Sequence, residues 1–268
     1  METQLPPAPP REAVQRWRLV VARSAIASTI GQREQQEAWE TALGASGLPL
    51  AGLDGPKPRA RIVPAAPLSA AIPGEAELVD VYLVERVPAW RVREALAGHL
   101  PEAFRLVDLY DIWTGEAALP GRVVASVYRA VVTLPSAGFG STLGAAVASL
   151  LAAVALPRER AKGDGVVRYD LRPFVEDVAL SVSAGGDAAT LRMTLRHDPE
   201  KGIGRPDEVL AELSARVLAT LDVQTLVRES LVLGEAPPPP PPAPRRRPAP
   251  RPGGGPSGTP ARSPRARL

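Results

Sequence analysis

The chain has 268 residues, 45% of them hydrophobic, which supplies one large or two small cores and places it among folded chains. With no cysteine and two histidines, it is excluded from disulfide, thiolate and iron–sulfur chemistry, and it lacks the ligands of an ordinary transition-metal site, so no metal and no cofactor is expected. The formal charge of +3 divides unevenly: residues 236–268 hold seven arginines and no acid, and removing these from the 32 bases leaves 25 against 29 acids, a body of net −4.

Residues 1–14 are proline-rich and expected to be disordered. They carry prolines and charges where a signal peptide needs an apolar run, and no window reaches the roughly 18 apolar residues that span a bilayer, so a cytoplasmic protein with no membrane contact is expected. Residues 17–23 (WRLVVAR) read as a strand. Ser28 or Thr29 offers an N-cap to a helix over 32–46, which carries Trp39, Ala42 and Leu43 and stops at Gly47. Strands follow at 59–63 and 77–84, then a helix opened by Pro88 with Val92, Ala95, Leu96 and Leu100 in one stripe, then a strand at 104–113. The same order recurs. A strand at 128–134 leads to a helix capped by Ser141; a long strand at 166–182, bent at Pro173, is followed by the Gly185-Gly186-Asp187 turn, a strand at 190–197, a helix from Pro206 and a strand at 223–233.

The fold class predicted is α+β: two tandem ferredoxin-like (βαββαβ) units with antiparallel sheets, at 15–115 and 128–235, joined by a connector at 116–127 and followed by a disordered Pro/Arg-rich tail at 236–268. Helices on one side of each sheet leave the other side for binding. Alternation puts Arg16 with Arg18, Arg59 with Arg61, Arg168 with Arg172 and Arg192 with Arg196 on shared faces. Such rows suit phosphates and make RNA a candidate partner, although stacking aromatics are sparse at 4% of residues. A merely solvated face explains the same arginines and carries more weight.

Residues 53–83 hold the greatest chemical variety: Gly55-Pro56-Lys57-Pro58-Arg59-Ala60-Arg61-Ile62, then Pro64-Ala65-Ala66-Pro67-Leu68, then Gly74-Glu75-Ala76-Glu77-Leu78-Val79-Asp80-Val81-Tyr82-Leu83. With Asp170-Leu171-Arg172-Pro173-Phe174-Val175, Arg205-Pro206-Asp207-Glu208-Val209-Leu210 and Val227-Arg228-Glu229-Ser230-Leu231 in order behind it, this region resembles the bacterial radical-SAM-associated domain of unknown function, found fused to or encoded beside cobalamin-binding radical SAM proteins. The resemblance spans about residues 16–234 and implies a radical SAM partner. The chain is divergent: many relatives carry Ser-His-Leu-Asp where this sequence has Ser28-Thr29-Ile30-Gly31, and the Phe-Asn that relatives place after the turn glycine is missing.

The binding candidates are Lys57, Arg59, Arg61, Asp80, Arg18, Arg172 and Arg205; no catalytic residue is assigned. Asp80, set among Leu78, Val79, Val81 and Tyr82, needs a counter-charge, and Lys57, Arg59 or Arg61 is the expected partner. Glu75 and Glu77 read as solvated strand charges, His99 as a helix-end residue, and His197 as a turn residue with no nucleophile in sequence reach. The segment Gly138-Phe139-Gly140-Ser141-Thr142 reads as a glycine turn with a serine cap rather than an anion loop. The function expected is a non-catalytic accessory or binding protein working with a radical SAM protein, with RNA as a further partner; the alternative is a small hydrolase or transferase using Asp80 and the neighbouring bases.

Overall fold

In a computed structural model, the chain is described over residues 11–25, 32–54, 57–69, 71–136, 138–162 and 165–235. Residues 1–10, the Ser28-Thr29-Ile30-Gly31 run, the Gly55-Pro56 turn and the tail from residue 236 lie outside these. All described residues fall within the first of the chain's two units, Met1–Pro237; the second is Pro238–Leu268.

The first half runs β1 (Gln15–Arg23), α1 (Gln32–Ala45), β2 (Ile62–Pro64), β3 (Gly74–Leu83), α2 (Ala89–Leu96) and β4 (Phe104–Ile112). The second runs β5 (Val123–Thr133), α3 (Phe139–Ala152), β6 (Pro157–Lys162), β7 (Gly165–Asp170), β8 (Val175–Val182), β9 (Ala188–Asp198), β10 (Gly202–Ile203), α4 (Pro206–Val217) and β11 (Asp222–Leu233). The protein is therefore a mixed α+β structure with four helices and a mostly antiparallel sheet among the described residues. That sheet has nine strands in the order β10-β9-β5-β11-β3-β1-β4, with β2 added to β3 and β8 to β9. Its one parallel pairing joins β11 to β3 at Arg228 and Gly74. Taking β1, β2, β3 and β4 of the first half and β5, β8, β9 and β11 of the second in chain order, and setting aside the two-residue β10, both halves are arranged 4-1-3-2: β4-β1-β3-β2 and β11-β5-β9-β8, antiparallel throughout.

The helices form where apolar residues recur every three or four positions. Trp39 and Leu43 on α1, Val92 and Leu96 on α2, Leu143, Val147 and Leu150 on α3, and Val209 and Leu213 on α4 are all buried. Gly47, just beyond α1, has φ of +70°, which a residue with a Cβ adopts only with strain. Pro206 occupies the first position of α4, where its missing N–H costs nothing. These helices cover two cores. In one, α1 and α2 pack on Trp17, Leu19, Val21, Val79, Val81 and Leu83. In the other, α3 and α4 pack on Tyr128, Ala130, Val132, Leu191, Met193 and Leu195.

Several elements differ from the sequence-based expectation. The strand foreseen at 166–182 is two strands. Pro173 sits in a 3-10 turn at Arg172–Phe174, and β7 before it leaves the main sheet to pair with β6 as a separate hairpin. The strand β6, PRERAK, has no apolar alternation and is held by its neighbours instead: Arg168 bonds Glu159 at 2.6 Å, and Arg158 reaches Glu212 of α4. The strand foreseen from Tyr128 starts at Val123, in a stretch of small residues where Ala125 is 2% and Ser126 0% exposed. Helix α3 begins at Phe139, so Ser141 lies inside its first turn and the cap position is Gly138, without a side-chain bond. Most consequentially, the sheet face opposite α1 and α2 is not solvated, because Arg16, Arg18, Asp80 and Tyr82 on it are all buried.

Since Leu191 is 0% exposed in the larger core, Leu191→Ala is expected to lower the free energy of unfolding by about 2–5 kcal/mol, measured by urea denaturation, with no change in helix content at low denaturant.

Candidate functional site

The site is built on β3, which carries one acid to each face of the sheet at its centre. Asp80 and Tyr82 point to the face away from the helices, and the β1–β3 register sets Arg18 opposite Asp80 and Arg16 opposite Tyr82. Arg18 holds the carboxylate with two bonds, Nε to Oδ1 at 2.7 Å and Nη2 to Oδ2 at 3.0 Å, and Arg16 adds Nε to Oδ2 at 2.9 Å. Arg16 spends its remaining donors on the carbonyls of Glu116 and Ala117, at 2.7 and 3.2 Å, which draws the segment between β4 and β5 over this face. Burial opposes the charged form of Arg18, and the bonds and charge of Asp80 more than offset it, so its pKa lies above the ordinary value. The ring of Tyr82 lies between two guanidinium groups, 3.8 Å from that of Arg61 and 5.1 Å from that of Arg16.

Glu77 points to the opposite face. Both of its oxygens are taken by Arg228 of β11, with Nε to Oε1 at 2.8 Å and Nη2 on Oε2. Arg228 is 0% exposed and also donates to the carbonyls of Pro67 and Ala66, at 2.9 and 3.2 Å. Its pKa is raised: burial works against the charge and Glu77 outweighs it. A Cβ on Gly74 would stand 2.5 Å from Glu77 Oε1, so the glycine leaves the space this carboxylate occupies. Arg23, at the end of β1, donates to the carbonyls of Ser69 and Ile72. Two arginines thereby staple the proline-rich loop 64–72 to the sheet. Between that loop and α1 opens a cleft of about 630 Å3, whose lining includes Arg23, Glu77, Trp39, Ile62, Pro67 and Phe104.

The expected pairing of Asp80 with Lys57, Arg59 or Arg61 is corrected by these distances. Its partners are Arg16 and Arg18, because the β1–β3 register sets these side chains beside it on the same face, whereas residues 57–61 precede β2. Lys57, Arg59 and Arg61 are exposed; Arg59 bonds Glu40 at 2.7 Å and Arg61 covers Tyr82. Arg172 is a helix-end clamp, donating to the carbonyls of Leu151, Ala153 and Val175 at 2.8, 3.1 and 2.6 Å. Arg205 stands exposed at the N-cap of α4, on the edge of a second cleft of about 800 Å3. The candidates therefore do not converge: Arg18 and Asp80 meet, Arg61 adjoins them through Tyr82, and Arg172 and Arg205 lie elsewhere. Three arginines on the sheet strands of the second half are matched by acids, Arg192 and Arg129 by Glu229, and Arg196 by Glu176. Glu75 is half-exposed beside Arg129, as a solvated strand charge should be, whereas Glu77 is buried.

Sequence reasoning missed Arg23, Glu77 and Arg228 as a cluster, and Arg228 gave the same signal as Asp80, a charge inside an apolar strand. It also missed a hydroxyl partner for His197: Ser126 Oγ lies 2.8 Å from His197 Nε2, across the β5–β9 pair. Burial, with a contribution from the charge of Arg228, pushes the His197 pKa down to about 4. His99 caps α2, its Nδ1 2.9 Å from the carbonyl of Ala95. Among the described residues no group of three or more His, Asp or Glu is placed to hold a metal ion, and no helix is long and apolar enough to cross a membrane.

The model of the family described as "Uncharacterized protein conserved in bacteria (DUF2344)" matches residues 16–206, which takes in β1 from Arg16 through the start of α4 and the site around β3 except Arg228. The chain belongs to the DUF2344 family. No curated protein matches it. Among solved structures, DyPB from Rhodococcus jostii RHA1 is similar at 11% identity and a TM-score of 0.22 over 84% of this DUF2344 chain and 96% of that one. A variant of DypB from the same organism in complex with heme gives 13% identity and a TM-score of 0.20 over 83% and 96%. Scores of that size support no inference for this chain.

Two outcomes follow from the geometry of this DUF2344 member. Asp80→Asn leaves two buried guanidinium groups short of charge and is expected to cost about 3–5 kcal/mol of unfolding free energy in denaturant titration. His197 titrates near 6.5 when unfolded and near 4 when folded, so between those values the unfolded state binds more protons, and stability falls as pH drops through that window. Urea midpoints measured from pH 7 to 4.5 should show this decline, and His197→Gln should remove its share of the slope.

Proposed function

We propose that the chain is a non-catalytic accessory protein that works with a radical SAM protein, built from two ferredoxin-like units. The repeated 4-1-3-2 strand order supports the architecture, since a βαββαβ motif produces that arrangement. The partner is implied by the resemblance of the ordered segments from Gly55 to Leu231. A chain without cysteine has no thiolates for an iron–sulfur cluster, so its part in such chemistry is to assist a separate protein.

The observation that carries the non-catalytic reading is the state of Asp80. At 0% exposure and gripped by Arg16 and Arg18, it has no path to a substrate and no free lone pair directed at one. The hydrolase or transferase reading needed this acid next to Lys57, Arg59 and Arg61; those bases lie outside and the acid lies inside. Ser126 and His197 have the spacing of a nucleophile and base, yet Ser126 is 0% exposed, with nothing for it to attack.

What remains outward is a contact surface. Lys57, Arg59 and Arg61 form an exposed basic segment, and Tyr110 and Trp113, 42% and 75% exposed, lie on and just beyond the edge strand β4. RNA is the other ligand such a basic segment would suit.

Co-expression of the full chain with a cobalamin-binding radical SAM protein from the same genome tests the reading. A stable complex in size-exclusion chromatography is expected, weakened by Arg59→Glu/Arg61→Glu or by Trp113→Ala; separate elution of the two proteins contradicts it. Titrating the full chain with a single-stranded RNA in parallel assigns the basic segment: salt-sensitive binding lost in the double variant would make RNA its ligand.

A further inference from the structure

Arg23 is 4% exposed and undersupplied with negative charge. Its Nη2 serves two loop carbonyls, while its Nε is buried with no hydrogen-bond partner. Among the described residues, the one carboxylate lining the cleft beside it, that of Glu77, has both oxygens bound to Arg228. Two buried guanidinium groups thus share one acid. Burial, joined by the repulsion of Arg228, lowers the pKa of Arg23 despite the attraction of Glu77, which is the signature of a cation lacking a counter-ion. An arginine in this position is costly to the fold unless something completes its coordination.

The surroundings say what that something is. Above Arg23 the cleft is walled by Trp39, Ile62, Pro67, Leu68, Val79 and Phe104, which are apolar, and its lining adds the exposed bases Arg33 and Arg59. Largely apolar walls around a buried cation, with the neighbouring Glu77 carboxylate already taken by Arg228, are the composition of a small-molecule site, and about 630 Å3 is within the usual range of volume for one. A guanidinium with a free Nε edge selects an oxyanion.

We propose that the cleft between α1 and the 64–72 loop binds a small organic anion, a carboxylate or phosphate monoester on an apolar body, with Arg23 as its anchor. The anion would supply the charge that Glu77 does not, and the body would cover Trp39 and Phe104. Because Arg23 and Arg228 hold the loop by its carbonyls, an occupant would also tighten the loop against the sheet, linking ligand binding to stability. This inference is independent of the radical SAM partner.

The test is isothermal titration of the full-length protein with benzoate and with phenyl phosphate, against acetate and inorganic phosphate as anions without a body. At least one aromatic anion is expected to bind saturably at one site, about tenfold or more tighter than its bodyless counterpart, and which one binds decides between carboxylate and phosphate. Arg23→Gln should weaken it about tenfold or more, the effect of removing a charged hydrogen-bond donor. To separate loss of the anchor from loss of folding in Arg23→Gln, Gln36→Trp, which adds bulk to the lining from a half-exposed position on α1, serves as a second variant and should also abolish binding. Absence of binding by both aromatic anions at millimolar concentration, or binding that survives both variants, overturns the proposal.

Discussion

A carboxylate removed from water must find its counter-charge within the fold, and Asp80 finds two. The bonds from Arg16 and Arg18 cross from β1 to β3, and the spare donors of Arg16 then bind the carbonyls of Glu116 and Ala117, so one charge cluster fixes a strand pair and the covering segment together. On the other face Glu77 does the same through Arg228, whose strand joins the two halves of the sheet and whose donors hold the loop at Ala66 and Pro67. Strand β3 is therefore the hub of the molecule. Its two buried acids, Glu77 and Asp80, three residues apart and facing opposite ways, organise both sides of the sheet.

Such clusters are expensive to assemble, because taking an ion out of water costs several kcal/mol before any attraction is counted. Their value here lies in geometry. A row of apolar side chains in β1 and β3 would tolerate a slipped register; a bidentate contact between Arg18 and Asp80 does not, since a shift by one residue sends one of the pair to the wrong face. The same stringency accounts for Gly74, the one position where a side chain would displace Glu77.

Much of the fold was legible in the sequence because periodicity reports burial directly. Leu191, Met193 and Leu195 alternate with Arg192, Thr194 and Arg196, and the strand is buried on the side the pattern indicates. The elements that escaped are those made by partners distant in sequence. PRERAK is a strand because Glu159 and Arg158 meet Arg168 and Glu212, and the buried state of Arg16 depends on carbonyls about 100 residues away. At the site, the need of Asp80 for a counter-charge was visible from its apolar neighbours; the identity of that counter-charge was not, since proximity in sequence favoured Arg59 and Arg61 over a strand 62 residues earlier. Arg23 gave no signal at all, as a charged residue ending a strand is commonplace.

In the most chemically varied stretch of the chain, the structure holds Asp80 in a buried ion cluster with Arg16 and Arg18. That account rests on Asp80 and Arg18 acting as one buried unit. A double-mutant cycle on their unfolding free energies, using Asp80→Leu, Arg18→Met and the two combined, measures this directly. The account predicts strong coupling, with the double variant far more stable than the sum of the two single losses implies. Additive losses would contradict it.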